Sequence, residues 1–430
     1  MSIDHALAAD LLAFLDASPS PWHAVAVTTT RLAAAGFASL DEGERWSLQP
    51  GGRYYVVRGG SSLIAFSLGG ASPDRSGWRL VGAHTDSPGL RIKPQPVLAG
   101  DSALRLAVEV YGGPILATFA DRDLSLAGRV VVGTAGGPET RLLAFGRPLV
   151  RLPNLAIHMN REVNEQGLKF NRQSELPLLL AVGGIADGEG QFRRLLADTL
   201  GVEPESLLAW DLAAHDTQPA AFWGADREFV ASGRLDNLAS CHAALSALLA
   251  TETSDATAVV ALFDHEEVGS ESAVGAGGSF VGDVLARLAA ALGVDAEGER
   301  CARARSFFVS ADMAHAWNPN YPAAYEPGHR VLVNGGPAIK INASQRYATG
   351  ADTAARFARL CADAGVPCQR YVHRSDLGCG STIGPQVAAR LGVPTVDVGN
   401  PMWAMHSLRE SAGVLDQAAM VKVLREHFRQ

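Results

Sequence analysis

Histidines and carboxylates are concentrated in short segments next to predicted strands and helices, and these residue types are the ones that could do chemistry. Four segments follow strands and a fifth begins a helix: His84-Thr85-Asp86, Asp264-His265-Glu266-Glu267, Ala311-Asp312-Met313-Ala314-His315, the loop from Val398 to His406, and Arg234-Leu235-Asp236-Asn237. Ligands of an open α/β sheet bind beyond the carboxyl ends of its strands. We therefore expect these segments to converge on one crevice.

The donor types in these segments predict a transition-metal site. Imidazole together with carboxylates favours Zn²⁺, Co²⁺ or Mn²⁺ over Mg²⁺. A metal pair needs a bridging carboxylate, for which Asp236 is a candidate, although a helix N-cap explains that residue equally well. Asp86 is placed to accept the second ring N–H of His84. Glu266 and Glu267 point opposite ways in an extended chain, so one could hold metal while the other moves a proton.

Other catalytic motifs fit less well. Gly269 stands where an H-E-x-x-H motif needs its second histidine, and residues 275–280 fail the last position of G-x-G-x-x-G. The sequence contains neither a G-x-x-x-x-G-K-[ST] phosphate loop nor a G-x-S-x-G elbow. Each acid or histidine segment alone also has an ordinary structural explanation, so their joint placement carries the prediction.

Composition restricts the class of protein. The 430 residues are 47% hydrophobic and 19% charged, with a net charge of -8 from 37 basic and 45 acidic residues, which disfavours disorder and nucleic-acid binding. Five scattered cysteines without a C-x-x-C pair argue against a disulfide framework. Acidic Met1–His5 does not resemble a signal peptide, and the longest apolar runs are too short for a membrane helix. We expect a cytoplasmic protein without membrane partners.

The order of predicted elements indicates an α/β fold. From about Leu235, helices alternate with buried strands, which is typical of a mostly parallel sheet flanked by helices. Residues 95–150 instead alternate with a period near two and carry Gly-Gly turns, which indicates an all-β segment. We predict a discontinuous catalytic domain, 1–94 and 231–430, interrupted by a β-rich oligomerisation domain at 95–230.

Seven ordered motifs resemble those of the M18 family of metalloaminopeptidases, of the aspartyl aminopeptidase type, over nearly the whole chain. The motifs are Ser20-Pro21-Trp22-His23-Ala24-Val25, Gly82-Ala83-His84-Thr85-Asp86-Ser87-Pro88, Gly233-Arg234-Leu235-Asp236-Asn237-Leu238, Asp264-His265-Glu266-Glu267-Val268-Gly269-Ser270, Asp312-Met313-Ala314-His315-Ala316, Lys340-Ile341-Asn342 and Met405-His406-Ser407. The resemblance implies a zinc-peptidase-like fold that removes N-terminal residues, chiefly Asp or Glu, from peptides.

The resemblance also implies two Zn²⁺ ions per subunit, with Co²⁺ or Mn²⁺ as alternatives. His84, Asp236 and Asp312 would hold one ion. Asp236, Glu267 and His406 would hold the other, so that Asp236 bridges the pair.

Further roles follow from the same resemblance. Glu266 matches the general base and Asp86 matches the acid that orients His84. Lys340 resembles the residue whose cation receives an acidic substrate side chain, and Arg346 is a weaker candidate for the same pocket.

The family's β-rich insertion pairs subunits, and the resemblance suggests a homo-dodecamer. The insertion's motif Asn154–Asn160 would deliver His158 into a neighbouring active site, near metal or the scissile carbonyl. From the residue pattern alone, His158 is interpreted as structural.

Two alternatives stay open at this point. The ligand pattern does not fix which end of a peptide is bound, so a two-metal carboxypeptidase or amidase has the same signature. A non-catalytic scaffold of the same fold is the other, although Glu266 and every proposed ligand are present.

Overall fold

The computed structural model describes residues 5–100, 102–183 and 187–430. Residues 1–4, most of the N-terminal segment that does not resemble a signal peptide, lie outside the described residues. Eleven α-helices occur in these residues: α1 (Ala6–Asp16), α2 (Pro21–Ala34), α3 (Pro73–Ser76), α4 (Val163–Gln166), α5 (Gly188–Leu200), α6 (Leu235–Leu249), α7 (Phe280–Ala291), α8 (Ala296–Arg305), α9 (Ala351–Asp363), α10 (Ile383–Leu391) and α11 (Val414–Arg429).

The same residues form twenty strands: β1 (Ala38–Leu40), β2 (Arg53–Arg58), β3 (Ser62–Ser67), β4 (Trp78–His84), β5 (Gly89–Gly100), β6 (Ala103–Tyr111), β7 (Leu124–Thr134), β8 (Gly137–Ala144), β9 (Leu178–Val182), β10 (Leu207–Asp216), β11 (Ala221–Trp223), β12 (Phe229–Ser232), β13 (Thr257–Phe263), β14 (Phe307–Ala311), β15 (Ala314–His315), β16 (Ala338–Ile341), β17 (Gln369–Val372), β18 (Thr395–Gly399), β19 (Pro401–Trp403) and β20 (Glu410–Gly413). None of the helices is both long and apolar enough to cross a bilayer, as far as the described residues go.

The chain divides into two compact units. The first contains the chain up to Asp86, Ala220–Met405 and Glu410–Gln430, and the second contains Ser87–Pro219 and His406–Arg409. The sequence-based boundaries, 94/95 and 230/231, lie elsewhere because β5 pairs with β6 in the second unit while β12 pairs with β20 in the first. The roles assigned to these segments stay predictions.

The first unit contains a nine-stranded sheet in the order β1-β2-β3-β13-β4-β14-β18-β16-β17. Its central strands β13, β4, β14 and β18 run parallel. Every residue of β4, β13 and β14 is buried, as expected for parallel strands covered on both faces. This confirms the predicted α/β class with its mostly parallel, helix-flanked sheet.

Alternate residues of β13 enter two separate cores. Val260 and Leu262 pack with residues of α1, α6, α9 and α11, whereas Val259 and Phe263 pack with residues of α7 and α10. The period-two alternation of a strand therefore fixes one layer of helices on each face of the sheet.

A second sheet of the first unit was not expected from the sequence. Its order is β11-β12-β20-β19-β15, with strands of two to four residues that give almost no periodicity signal. In this sheet Glu410 pairs with Ser232, four residues before Asp236.

The second unit is a six-stranded sheet in the order β8-β7-β10-β5-β6-β9, and all its neighbouring strands are antiparallel. Phe192 and Leu196 of α5 are fully buried in its core. The period-two pattern therefore predicts this β-rich part correctly.

Candidate metal centre

Three neighbouring parallel strands deliver the predicted chemistry to one edge of the nine-stranded sheet. His84 is the last residue of β4, the middle strand, and it pairs with Phe263 at the end of β13. Glu266 and Glu267 follow β13 in a single 3₁₀ turn, Glu266–Val268. Asp312 directly follows β14 on the other side of β4. His84 thus lies between the two acidic segments.

Carboxylate oxygens surround the ring of His84. Its Nε2 lies 3.3 Å from Asp236 Oδ1, 3.5 Å from Asp312 Oδ1 and 4.0 Å from Glu266 Oε2. In the described part of the chain, two groups of potential ligands lie with all their ligand atoms within 4.8 Å: His84, Asp236 and Glu267, and His84, Glu266 and Asp312. The predicted crevice therefore brings together every proposed ligand of the first unit.

The distances from His84 Nε2 to the Asp236 and Asp312 oxygens suit a zinc ion. Tetrahedral ligands with bonds of about 2.0–2.1 Å lie roughly 3.3 Å apart, close to the separations from His84 to Asp236 and to Asp312. Asp312 Oδ1 is buried without a hydrogen-bond partner, and a cluster of buried carboxylates is costly unless cations balance it. Burial opposes the charged ring, yet the surrounding carboxylates raise the pKa of His84 well above its ordinary value. A metal ion would take the place of that proton.

Asp86 does more than the sequence analysis predicts. Nδ1 of His84 donates to the backbone oxygen of Asp86 at 3.1 Å, and Asp86 Oδ1 lies 3.4 Å from the same nitrogen. The carboxylate also accepts the backbone N–H groups of Glu266 and Glu267, each at 3.1 Å. Asp86 therefore fixes the ring of His84 and the turn that carries both glutamates.

Asp236 is not the N-cap of α6, because the N-cap position belongs to Arg234. Asp236 lies in the first turn with non-helical dihedrals (φ -81°, ψ 106°), and its side chain is buried beside His84. This geometry favours the ligand interpretation over the capping one.

Several site segments contain non-glycine residues in the left-handed region. Arg234 (φ 62°) precedes Asp236, His265 (φ 62°) precedes Glu266, and His406 itself has φ 67°. Such conformations cost free energy and concentrate at functional sites.

The side chain of Glu266 is only 13% exposed and lies among other ionisable groups. Burial is the main reason that the pKa of Glu266 is raised well above its usual range; His84 opposes this shift and neighbouring carboxylates add to it. A raised pKa makes the ionised carboxylate of Glu266 a stronger base than that of an exposed glutamate.

Lys340 is a buried residue of β16, only 3% exposed. Its Nζ lies 3.2 Å from Asp312 Oδ2 and 5.4 Å from the centre of the Tyr347 ring. Arg346, the second candidate for the substrate pocket, is exposed. The structure therefore places Lys340, and not Arg346, in contact with a proposed metal ligand.

The two remaining proposed residues belong to the second unit. Nδ1 of His406 donates to the backbone oxygen of Gly113 at 3.1 Å, which leaves Nε2 as the nitrogen with a lone pair. His158 is exposed in the loop before α4.

Three residues next to the centre were missed by the sequence analysis. The buried Glu410 accepts the backbone N–H of Asp236 at 3.1 Å. Asn237 Nδ2 donates to the oxygen of Ala311 at 2.9 Å, and the Cys241 thiol donates to the oxygen of His84 at 3.0 Å. These contacts join distant segments through backbone atoms, so no motif spacing reveals them; Asn237, next to a proposed ligand, carried the only available signal.

Comparison with known proteins gives a consistent result. A family model described as Aminopeptidase I zinc metalloprotease (M18) matches residues 14–428. A curated relative from Pseudomonas paraeruginosa, named probable M18 family aminopeptidase 2, is 52% identical over 421 residues and covers 96% of both chains. A protein of the same name from Azotobacter vinelandii is 52% identical over 425 residues and covers 97% of both.

Solved structures share the fold. The cryo-EM structure of the Ape4 and Nbr1 complex has a TM-score of 0.96 and 37% identity, covering 100% of this chain and 88% of that one. The S. cerevesiae mApe1 dodecamer has a TM-score of 0.86 and 27% identity, covering 99% and 97%. An M18 aminopeptidase from Thermotoga maritima, at 22% identity and a TM-score of 0.87, covers 99% and 96% and supports the fold alone.

Proposed function

The chain belongs to the M18 family of metalloaminopeptidases, and we propose that it uses two zinc ions to remove N-terminal Asp and Glu from peptides. The observation that carries this proposal is the ring of buried carboxylates around His84 at the ends of three parallel strands. It supplies the donors that a metallopeptidase needs, at the sheet edge where α/β proteins bind ligands.

In this proposal the metal ligands fall into two sets. His84, Asp236 and Asp312 would hold one ion, and Asp236, Glu267 and His406 the other. Zn²⁺ suits the mixed nitrogen and oxygen donors, and Co²⁺ or Mn²⁺ could replace it. When bound, the metals would polarise the scissile carbonyl and lower the pKa of water.

Glu266 acts as the general base. It removes a proton from the attacking water and returns it to the leaving amine, a role supported by its raised pKa and its position beside His84. Asp86 keeps Glu266 in place through the N–H group that its carboxylate accepts.

Lys340 would provide the acidic preference. Its ammonium is buried between Asp312 and the Tyr347 ring, so a substrate carboxylate reaching it would meet a desolvated positive charge. Arg346 remains a weaker alternative because its side chain is exposed.

We also propose a homo-oligomer in which His158 acts in the active site of a neighbouring subunit, near metal or the scissile carbonyl. Three apolar side chains flank it at the surface: Leu155 is 64% exposed, Ile157 48% and Met159 75%. Such a patch favours burial against another chain. A dodecamer is proposed by analogy with the solved mApe1 assembly.

The proposed location is the cytoplasm. All five cysteines are free thiols, which suits a reducing compartment. Peptides with a free N-terminus would be the partners.

The decisive experiment compares chromogenic amides of Asp, Glu and Leu, each with a free and an acetylated α-amine, with and without a chelator. We expect rapid hydrolysis of free Asp and Glu substrates and its loss on chelation. Equal rates for acetylated substrates would exclude an aminopeptidase, equal rates for Leu would exclude the acidic preference, and resistance to chelation would contradict the metal site.

A further inference from the structure

Glu410 connects the five-stranded sheet to the metal centre. It is the first residue of β20, is 2% exposed, and pairs with Ser232, the last residue of β12. The loop that follows β12 leads to Asp236, and Glu410 Oε2 accepts the Asp236 backbone N–H at 3.1 Å. A carboxylate on one strand thus holds the backbone of the proposed bridging ligand.

The Asp236 N–H needs an acceptor from outside α6. The first N–H groups of a helix have no intrahelical carbonyl to bind, and Asp236 is buried away from water. The N-cap residue, Arg234, makes no side-chain capping bond. Glu410 supplies the acceptor that a local cap would supply in another helix.

Helical geometry does not fix the direction of the Asp236 side chain. Asp236 and Asn237 both have non-helical dihedrals although they lie inside α6. Two contacts from other elements hold them: Glu410 accepts the Asp236 N–H, and the Ala311 oxygen accepts the Asn237 side-chain amide. Ala311 immediately precedes Asp312. The second contact therefore links the segment that carries Asp236 to the segment that carries Asp312, another proposed ligand.

We propose that Glu410 is a positioning residue that sets Asp236 at the distance from His84 that metal binding requires. The inference rests on the proposed two-metal function. Glu410 acts through the backbone, and its effect comes from the location of its oxygen atom and not from its charge. Groups behind metal ligands typically change metal affinity by about ten- to a hundredfold.

Two variants separate the effect of the position of the Glu410 acceptor oxygen from the effect of the Glu410 charge. Glu410→Gln keeps an acceptor oxygen at the same distance and loses the charge, whereas Glu410→Asp keeps the charge and withdraws the oxygen by one methylene. Matched controls are Glu299→Gln and Glu299→Asp, because Glu299 is a buried glutamate of α8 paired with Arg303. Metal-free full-length protein would be titrated with Co²⁺, following its visible absorption, and with Zn²⁺ in competition with a chromogenic chelator.

We expect Glu410→Gln to bind Zn²⁺ within about threefold of wild type, and Glu410→Asp to bind at least about tenfold more weakly, with an altered Co²⁺ spectrum. Both Glu299 variants should match wild type. Wild-type affinity and spectrum in Glu410→Asp, or equal loss in both Glu410 variants, would overturn the positioning role. Absence of metal binding by the wild type would instead refute the proposed metal site. Thermal unfolding of the metal-free proteins identifies a variant that fails to fold, in which case the other Glu410 variant decides.

Discussion

The two carboxylate oxygens of Asp312 lie beside two different side chains. Oδ1 faces the His84 ring at 3.5 Å, and Oδ2 lies 3.2 Å from Lys340 Nζ. One oxygen is therefore available to a metal while the other holds a cation beside it. This arrangement lets one buried lysine stabilise the acidic centre, and the proposed function gives the same ammonium the role of receiving a substrate carboxylate.

Glu266, the proposed general base, is testable by a substitution that keeps its shape. Replacing it with Gln removes the proton acceptor but preserves shape, so kcat should fall by about 100- to 10,000-fold while metal content is unchanged. Steady-state kinetics and elemental analysis of the same preparation measure both. The control is Glu271→Gln, an exposed glutamate four residues from Glu267. Near-normal turnover in Glu266→Gln would assign the base elsewhere.

The second prediction tests Lys340. Lys340→Leu should reduce the ratio of kcat/KM for N-terminal Asp over N-terminal Leu by about 10- to 100-fold, because a charge-assisted contact is lost. The ratio cancels any common loss caused by the missing contact with Asp312. Arg346→Leu serves as the comparison. If that variant loses the preference and Lys340→Leu keeps it, the exposed arginine is the recognition residue.

The site depends on three parallel strands, β13, β4 and β14, that end side by side. The 3₁₀ turn after β13 is held by Asp86, which follows β4, through two backbone N–H groups. A single side chain thus sets the relative position of two strand ends. A substitution at Asp86 should therefore disturb the positions of both Glu266 and Glu267.

Asp86→Asn tests this coupling. An amide in place of the carboxylate cannot accept both N–H groups equally well, so metal affinity and kcat should both fall by about ten- to a hundredfold. Metal titration and kinetics measure the two effects. Asp187→Asn, at the N-cap of α5, is the control and should change neither. A loss confined to kcat would limit Asp86 to orienting the base.

Apolar runs in the sequence predict the buried strands β4, β13 and β14. The convergence of His84, Glu266 and Asp312 follows from the rule that parallel strands present their carboxyl ends together. The five-stranded sheet could not be predicted, because strands as short as Ala314–His315 have no measurable period. The contact of Glu410 depends on that sheet, so it was equally inaccessible.

Buried and half-buried histidines affect the stability of the first unit. Burial, and next the charges of Arg79 and Arg356, lower the pKa of His427 to about 3. Its Nε2 donates to the oxygen of Leu80 at 3.1 Å. Burial also lowers the pKa of His23 and that of His315, each to about 4. Since the folded pKa lies below the unfolded one, the unfolded chain binds more protons, and stability falls as the pH drops below about 6.5.

His427→Gln should remove this dependence for one group. Glutamine can still donate to Leu80 but does not titrate, so the free energy of unfolding of wild type should fall by about 2 kcal/mol more than that of the variant between pH 7 and pH 5. Denaturant unfolding at several pH values measures the difference. His329→Gln, at an exposed position, should follow wild type. A constant gap between His427→Gln and wild type would contradict the assignment.

The proposed role of His158 in a neighbouring subunit can be tested by mixing two inactive chains. If His158 serves a neighbouring subunit, a chain with Glu266→Gln and a chain with His158→Ala, each inactive alone, contain complementary halves of a working site. Co-expressed, they should recover about one quarter of wild-type activity, because half of randomly formed symmetric dimers are mixed and each has one intact site.

Ser substitution of Leu155, Ile157 and Met159 in both chains should abolish the recovery and reduce the assembly size in size-exclusion chromatography, since it removes the apolar patch. Recovery must then depend on contact between subunits. Absence of recovery from intact mixed assemblies would mean that His158 and Glu266 act within one chain. Normal activity of the His158→Ala chain alone would mean that His158 takes no part in the reaction.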